Sequence, residues 1–349
     1  MKGLSIINKF LYLVNSICLL LLIFSYLSPF ISPTFLWTIS FFGLLFPVFY
    51  LINSLFLIYW MIGFKKQIWA NIIILLIGIQ YLGLFFGTQP ATTETTDSIK
   101  VLSYNVRLFN RYEWLPNPDV KSEIFDFFNT EKADILCIQE FYAADEIPNL
   151  NYKYSHIGIQ NKKGQPHIAI YSNYPRIIDT TTGNITGKSM NNTWIYSDMI
   201  IHSDTIRVYN VHLASNWFKN SDYSFLQNPQ KEKLKEGLNG IVKRMKSSYK
   251  KRAEEAQAIN EHMQKSPFPI ILCGDFNDTP LSYAYNTITS NLNDSYSQSG
   301  KGIGRSFIKI PALRIDYILY AKKFSSFNYE QHKQELSDHY AISTELSIP

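Results

Sequence analysis

The chain has 349 residues, of which 46% are hydrophobic and only 17% charged, against about a quarter charged in ordinary soluble domains. Residues 1–90 hold Lys2, Lys9, Lys65 and Lys66 and no Asp or Glu, so all 28 acids lie beyond them. This split excludes a wholly soluble chain and a disordered one. The formal net charge of +5, most of it in the apolar part, argues against the strongly basic surface of a nucleic-acid binder.

Three apolar runs come first, at about 10–27, 35–61 and 68–86. Each is near or above the ~18–20 residues that cross a hydrocarbon core, so residues 1–87 are predicted to be a membrane anchor of three transmembrane helices. A cleaved signal peptide is the alternative for the first run, but no small-x-small cleavage site ends it. Pro47 is placed to kink the second helix. The lysines orient the anchor with its N-terminus in the cytoplasm and residues 88–349 on the extracytoplasmic side of the cell membrane. Trp37, Tyr59, Trp60, Trp69 and Tyr81 are expected in an interfacial belt. With no side chain polar enough for a transport pathway, the runs read as an anchor.

Residues 88–98, TQPATTETTDS, read as a linker. The remainder, 99–349, alternates short β-rich runs with polar loops. Strands are predicted at 99–105, 134–139, 167–172, 193–201, 205–212, 269–275 and 314–320. Helices are predicted at 119–131, about 230–265 and 280–288. Several adjacent strands leave no room for a crossover, which points to an α/β sandwich of two facing mixed sheets rather than a doubly wound fold. Cys18, Cys137 and Cys273 match no metal or redox spacing and read as ordinary buried residues.

Polar residues close several of these strands: Asn105, Glu140, His212, Asp275 and Asn277, with Asp316 inside RIDYIL and Asp338–His339 near the end. Taken singly, each reads equally well as a turn or a solvated loop residue. Taken together, they are hard oxygen donors with two imidazoles and no thiolate, a set suited to Mg²⁺ rather than structural zinc.

The ordered set SYNV (103–106), IQE (138–140), NVHL (210–213), GDFN (274–277), RIDYI (314–318) and SDH (337–339) resembles the endonuclease/exonuclease/phosphatase superfamily. HIAIYSNYP at 167–175 is similar to a further strand of that family, with His167 where glycine is usual and no catalytic role assigned to it. The resemblance implies a DNase I-like four-layer α/β sandwich, two facing mixed β-sheets flanked by helices, over 99–349. It implies phosphoester hydrolysis with Mg²⁺, or Mn²⁺ in its place. Glu140 would be the principal metal carboxylate, with Asn105 positioning metal or phosphate and Asp338 a second metal contact or a support. Asp275 would orient or deprotonate water. His212 and Asn277, with Asn105, would contact phosphate oxygens. His339 would pair with Asp316. Whether the general base is Asp275 or the His339–Asp316 pair stays open at this point.

The family does not fix the substrate. A short linker would hold the cleft near lipid head groups, so membrane lipids are the expected partners and a phosphodiester or phosphomonoester near the membrane surface, a lipid head group among them, the expected substrate. Residues 219–252 carry ten Lys and Arg against three Asp and Glu. Such a segment docks on anionic lipid, grips a nucleic-acid backbone or is a solvated helix face. The alternatives are a surface nuclease acting on DNA or RNA, less favoured by the near-neutral second domain, and a catalytically silent binding protein.

Overall fold

The computed structural model describes residues 5–63, 65–88, 98–142, 150–158, 167–177, 182–184, 193–216, 222, 234–310 and 312–349. Its N-terminal part is helical: α1 (Ile6–Leu27), α2 (Pro33–Leu36), α3 (Ile39–Leu44), α4 (Phe46–Ile62) and α5 (Ile68–Leu82). The expected anchor of three transmembrane helices is corrected here. Among the described residues, only α1, with 22 residues, is long and apolar enough to cross a membrane. The predicted helix 35–61 breaks into α2, α3 and α4; the break before α4 follows from Pro47, which enters its first turn and cannot donate to the turn before it. The two remaining apolar helices have 17 and 15 residues, about 25 and 22 Å at 1.5 Å per residue against a core of about 30 Å.

The bundle encloses a polar cluster beside its apolar interior and is apolar outside. Asn15, Asn53 and Asn71, one each on α1, α4 and α5, are wholly buried. Asn15 donates to Asn71 at 3.0 Å and Asn71 donates back at 2.9 Å; Asn15 also donates to Asn53, and Trp60 Nε1 donates to Asn15 at 2.8 Å. Trp60 is therefore an interior residue and not part of an interfacial belt, whereas Trp69 and Tyr59 are exposed. Outward lie Ile6, Phe10, Leu13, Leu51, Ile73 and Leu76, all more than half exposed.

The strands are β1 (Phe86–Thr88), β2 (Ser98–Asn105), β3 (Ile135–Phe141), β4 (Tyr154–Gly158), β5 (His167–Ser172), β6 (Arg176–Ile177), β7 (Thr182–Asn184), β8 (Thr193–Ile201), β9 (Asp204–His212), β10 (Ile270–Asp275), β11 (Leu292–Asp294), β12 (Lys301–Ile303), β13 (Asp316–Ala321), β14 (Ser325–His332) and β15 (Ala341–Ser347). One sheet runs β14-β15-β2-β3-β5-β4; the other runs β11-β13-β10-β9-β8-β6, with β7 beside β8. Both are mixed: β2 pairs with β3 and β9 with β10 in parallel, and their other neighbours are antiparallel.

Alternation along the strands builds the layers. Val101, Cys137 and Ile170 meet Val208, Ile271 and Cys273 between the sheets. Leu102 and Leu136 face outward onto Ile124, Phe127 and Phe128 of helix α6 (Val120–Glu131). Leu272 and Tyr209 face Ala256, Ile259 and Met263 of the long helix Leu234–Gln264. The result is the four-layer sandwich expected from the sequence.

Most of the predicted linker, 89–97, lies outside the described residues, as does the start of the predicted helix 230–265. The sandwich nevertheless meets the bundle directly. β1 pairs with β12, Arg314 Nε donates to Leu84 O at 3.2 Å and Asn286 Nδ2 donates to Pro29 O at 3.1 Å.

Candidate active site

The parallel pairs β2–β3 and β9–β10 end in register, Asn105 beside Gln139 and Asp275 beside His212, and Asp316 pairs across from Asp275. Four strand ends and one strand start thus deliver the polar residues to one edge of the sandwich. Gly274 is required there: a Cβ on it would lie 2.0 Å from Val211 O. In β3 the register shifts between Ile138 and Phe141, and Glu140 adopts φ 49°. This bulge turns the Glu140 side chain out of the ladder at a cost of ~1–3 kcal/mol.

Asp275, 1% exposed, is the hub. Its Oδ2 accepts from Asn105 Nδ2 at 3.0 Å and Asn277 Nδ2 at 3.3 Å, and its Oδ1 accepts from Asn277 N at 2.7 Å. His212 Nε2 stands 3.7 Å from Asp275 and 3.8 Å from Glu140; it is buried without a hydrogen-bond partner among the described residues. Asn105 Nδ2 also reaches Glu140 at 3.5 Å. His339 Nδ1 bonds Asp316 Oδ2 at 2.9 Å, and its Nε2 lies 3.8 Å from Asp275. Ser306 Oγ accepts from Asp316 N at 3.0 Å, which fixes the start of β13. Ser337 Oγ donates to Asn105 O at 2.8 Å.

Burial and the neighbouring Asp316 carboxylate push Asp275 up to about 6, against the pull of His339 and His212. For His339 burial opposes the charged form, but Asp316 and Asp275 outweigh it and push the imidazole up to about 10. At neutral pH the pair is therefore a carboxylate facing an imidazolium.

The donors Glu140 and Asn105 suit a hard divalent cation: oxygen donors without a thiolate, with the Glu140 side chain 28% exposed and no Lys or Arg on it among the described ion pairs. Asp275, Asp316 and His339 also bring ligand atoms within 4.8 Å of one another, but the His339–Asp316 hydrogen bond takes one atom from each, so the cation fits better at Glu140. Asp338 faces two cations. It pairs with Arg107 at 3.3 Å and Lys309 at 3.6 Å, which already neutralise it.

The match to the sequence motifs covers residues 102–339, which fit the Endonuclease/Exonuclease/phosphatase family model. The chain belongs to that family. Residues 8–85 fit a second family, described only as a domain of unknown function. Among solved structures, this family member is similar to an endonuclease/exonuclease/phosphatase from Bacteroides vulgatus, 19% identical over 73% of this chain and 100% of that one, TM-score 0.54. It is also similar to the human Nocturnin catalytic domain with bound sulfate anion, 16% identical over 75% and 97%, TM-score 0.53. A mannosyl-6-phosphatase of Bacteroides thetaiotaomicron VPI-5482 is 18% identical over 72% and 100%, TM-score 0.52. At these identities the likeness is of fold. No curated protein sequence matches.

Two site-supporting residues escaped the sequence reading although they lie inside its motifs. Gln139 Nε2 donates to Asn210 Oδ1 at 2.6 Å and to Ser103 Oγ at 3.1 Å. Asn210 Nδ2 donates to Ile138 O and Ala169 O. This wholly buried bridge joins the sheets beneath the bulge that aims Glu140. Asn210→Leu should destabilise the domain by ~1–3 kcal/mol, the cost of buried groups left unpaired, and lower kcat through Glu140. Denaturant unfolding beside turnover checks this; an unchanged midpoint would contradict it.

Two arginines of the basic segment are engaged within the protein. Arg252, 1% exposed, donates to Asp278 at 3.0 Å and Ala214 O at 2.8 Å, and Arg244 pairs with Asp222. Positions 219–221 and 223–233 lie outside the described residues.

Proposed function

We propose that this family member is a membrane-anchored, Mg²⁺-dependent phosphoesterase, with Mn²⁺ as the substitute metal, whose catalytic domain lies on the extracytoplasmic side. The observation that carries the reading is the convergence of Asn105, Glu140, His212 and His339 on the buried Asp275 carboxylate. A cation held by Glu140 and Asn105 would offset the charge of the phosphate and of the leaving oxygen.

The chain's own residues do the rest. Asp275, an anion at neutral pH and raised toward it, is the base. It is better suited than His339, which already carries its proton. As the water oxygen bonds to phosphorus, its proton passes to Asp275. The P–O bond to the leaving group breaks, and the leaving alkoxide takes a proton from solvent. His339, fixed by Asp316, and His212 and Asn277 face the phosphate oxygens and stabilise their charge. Asp338 serves as support, holding Arg107 and Lys309 at the rim. The internal partners of Arg244 and Arg252 weaken the nuclease alternative, since those charges are spent within the protein.

Anchoring is supported by the apolar exterior of the bundle and by its polarity. Tyr59 Oη donates to Asn8 at 2.7 Å, so the end of α4 before Lys65 and Lys66 sits beside Lys9, and the sandwich meets the other end. Protease added to intact cells, or to spheroplasts where an outer membrane intervenes, should remove the catalytic domain. Protection until lysis would reverse the orientation.

A further inference from the structure

The contacts between bundle and sandwich gather near the catalytic strand ends. Leu281, six residues after Asp275, is wholly buried against Leu22, Tyr26, Phe46 and Leu75 of the bundle. A Cβ on Gly43 of α3 would sit 2.2 Å from Leu281 O, so this approach is backbone on backbone. Arg314, which donates to Leu84 O, precedes Asp316 by two residues. On the long helix, Tyr249 packs edge-on against Phe41 with centroids 5.5 Å apart, and Ile241 and Met245 join it against Phe41 and Leu44. Three residues beyond Tyr249, Arg252 holds Ala214 and Asp278, which directly follow the strands of His212 and Asp275.

Chain length sets the scale. Six residues span at most ~20 Å and two span ~7 Å even when extended. The reacting centre thus lies within that reach of an apolar bundle whose outer face has no protein partner among the described residues. The polar zone of one leaflet is ~5–8 Å deep. A soluble substrate gains nothing from this placement, whereas a head group projecting from the bilayer is brought to the site without leaving the membrane.

The geometry points to a site end that faces the bilayer and takes a phosphoester carried on a membrane lipid head group. This rests on the phosphoesterase reading above and adds its substrate class. Water adds to the lipid-borne phosphorus, the P–O bond to the departing alcohol breaks, and solvent supplies that alcohol's proton. Two lysines lie at this end, and such charges near a bilayer favour anionic lipid: Lys246 sits over Trp37 at 5.2 Å, and Lys243 beside it is exposed.

The test uses the full chain in phosphatidylcholine nanodiscs. Ser247 and Glu261 are both exposed on the long helix, about 21 Å apart along its axis at 1.5 Å per residue. A fluorophore on Ser247→Cys should be strongly quenched by a nitroxide on lipid head groups, and one on Glu261→Cys should not; equal or reversed quenching would overturn the orientation. In parallel, Mg²⁺-dependent turnover is measured on phosphatidic acid and phosphatidylglycerol in the discs, on glycerol 3-phosphate and glycerophosphoglycerol in solution, and on bis(p-nitrophenyl) phosphate. Lipid should exceed its soluble counterpart in kcat/KM by about tenfold or more. Hydrolysis of the soluble compounds or the nitrophenyl reporter without lipid preference would overturn the lipid substrate and leave the phosphoesterase reading intact. No hydrolysis of any of them would overturn both.

Discussion

His339→Ala and Asp316→Asn should each lower kcat by about 10²–10³-fold, the scale of losing one donor to a developing oxyanion, and the double variant should lose little more than His339→Ala alone. The reason is the 2.9 Å bond from His339 Nδ1 to Asp316: Asp316 acts by holding the imidazole and keeping it charged, so the two form one unit and their losses do not multiply. The pH profile adds a sign. Activity needs Asp275 deprotonated and His339 protonated, so kcat/KM should fall below about 6 and above about 10. In His339→Ala the alkaline limb should vanish. In Asp316→Asn it should move down toward the ordinary histidine range, because the carboxylate that most favours the imidazolium is gone. Multiplicative losses, or an unmoved alkaline limb in Asp316→Asn, would show that Asp316 works independently of His339.

Asp275→Asn should be the most damaging single change, about 10³–10⁴-fold in kcat, at the upper end for a general base. The amide removes the proton acceptor. It also sets an NH₂ group among donors, since Asn105 Nδ2, Asn277 Nδ2 and Asn277 N all point at this carboxylate. The substitution should erase the acid limb near 6 from whatever activity remains. The linkage runs the same way. Folding raises Asp275 above its unfolded value, so the native state binds the extra proton, and this group costs stability as pH rises from the ordinary carboxylate range through about 6. Residual activity that keeps the acid limb would assign that limb to another group.

The sandwich and most of its site were legible in the sequence for a shared reason. Strands covered on both faces read as continuous apolar runs, such as IILC at 270–273, and a polar residue at the end of such a run needs an explanation. Asn105, Glu140, His212 and Asp275 are of this kind, whereas Asp316 inside RIDYIL and His339 in SDH were read from their place in the ordered set of motifs. β14 and β15 were not legible, because SSFNYEQH and AISTELS look like surface chain. Their buried hydroxyls are satisfied internally, Ser343 by His332 at 2.8 Å and Thr344 by Ser326 and Phe327 O. Asp338 was read from the same ordered set of motifs, yet it faces Arg107 and Lys309, which no spacing in the sequence reveals. In the N-terminal bundle, hydropathy averaged over a window hid the break at Leu45 and the three asparagines. A lone amide in an apolar run was the available signal, since such residues turn toward helix partners. The long helix was anticipated, but its partner was not. Phe41 and Leu44 sit two hundred residues earlier, and their contact with Tyr249 converts a tether into a direct docking.

The most direct measurement is hydrolysis of bis(p-nitrophenyl) phosphate by the purified full-length protein after exhaustive chelation, then with Mg²⁺ restored, beside Glu140→Gln. Chelation should abolish turnover and Mg²⁺ should return it. Glu140→Gln should need far more Mg²⁺ for any recovery. Undiminished turnover in the chelated protein, or a Glu140→Gln variant with the wild-type Mg²⁺ requirement, would contradict a metal-dependent phosphoesterase centred on Glu140 and Asp275.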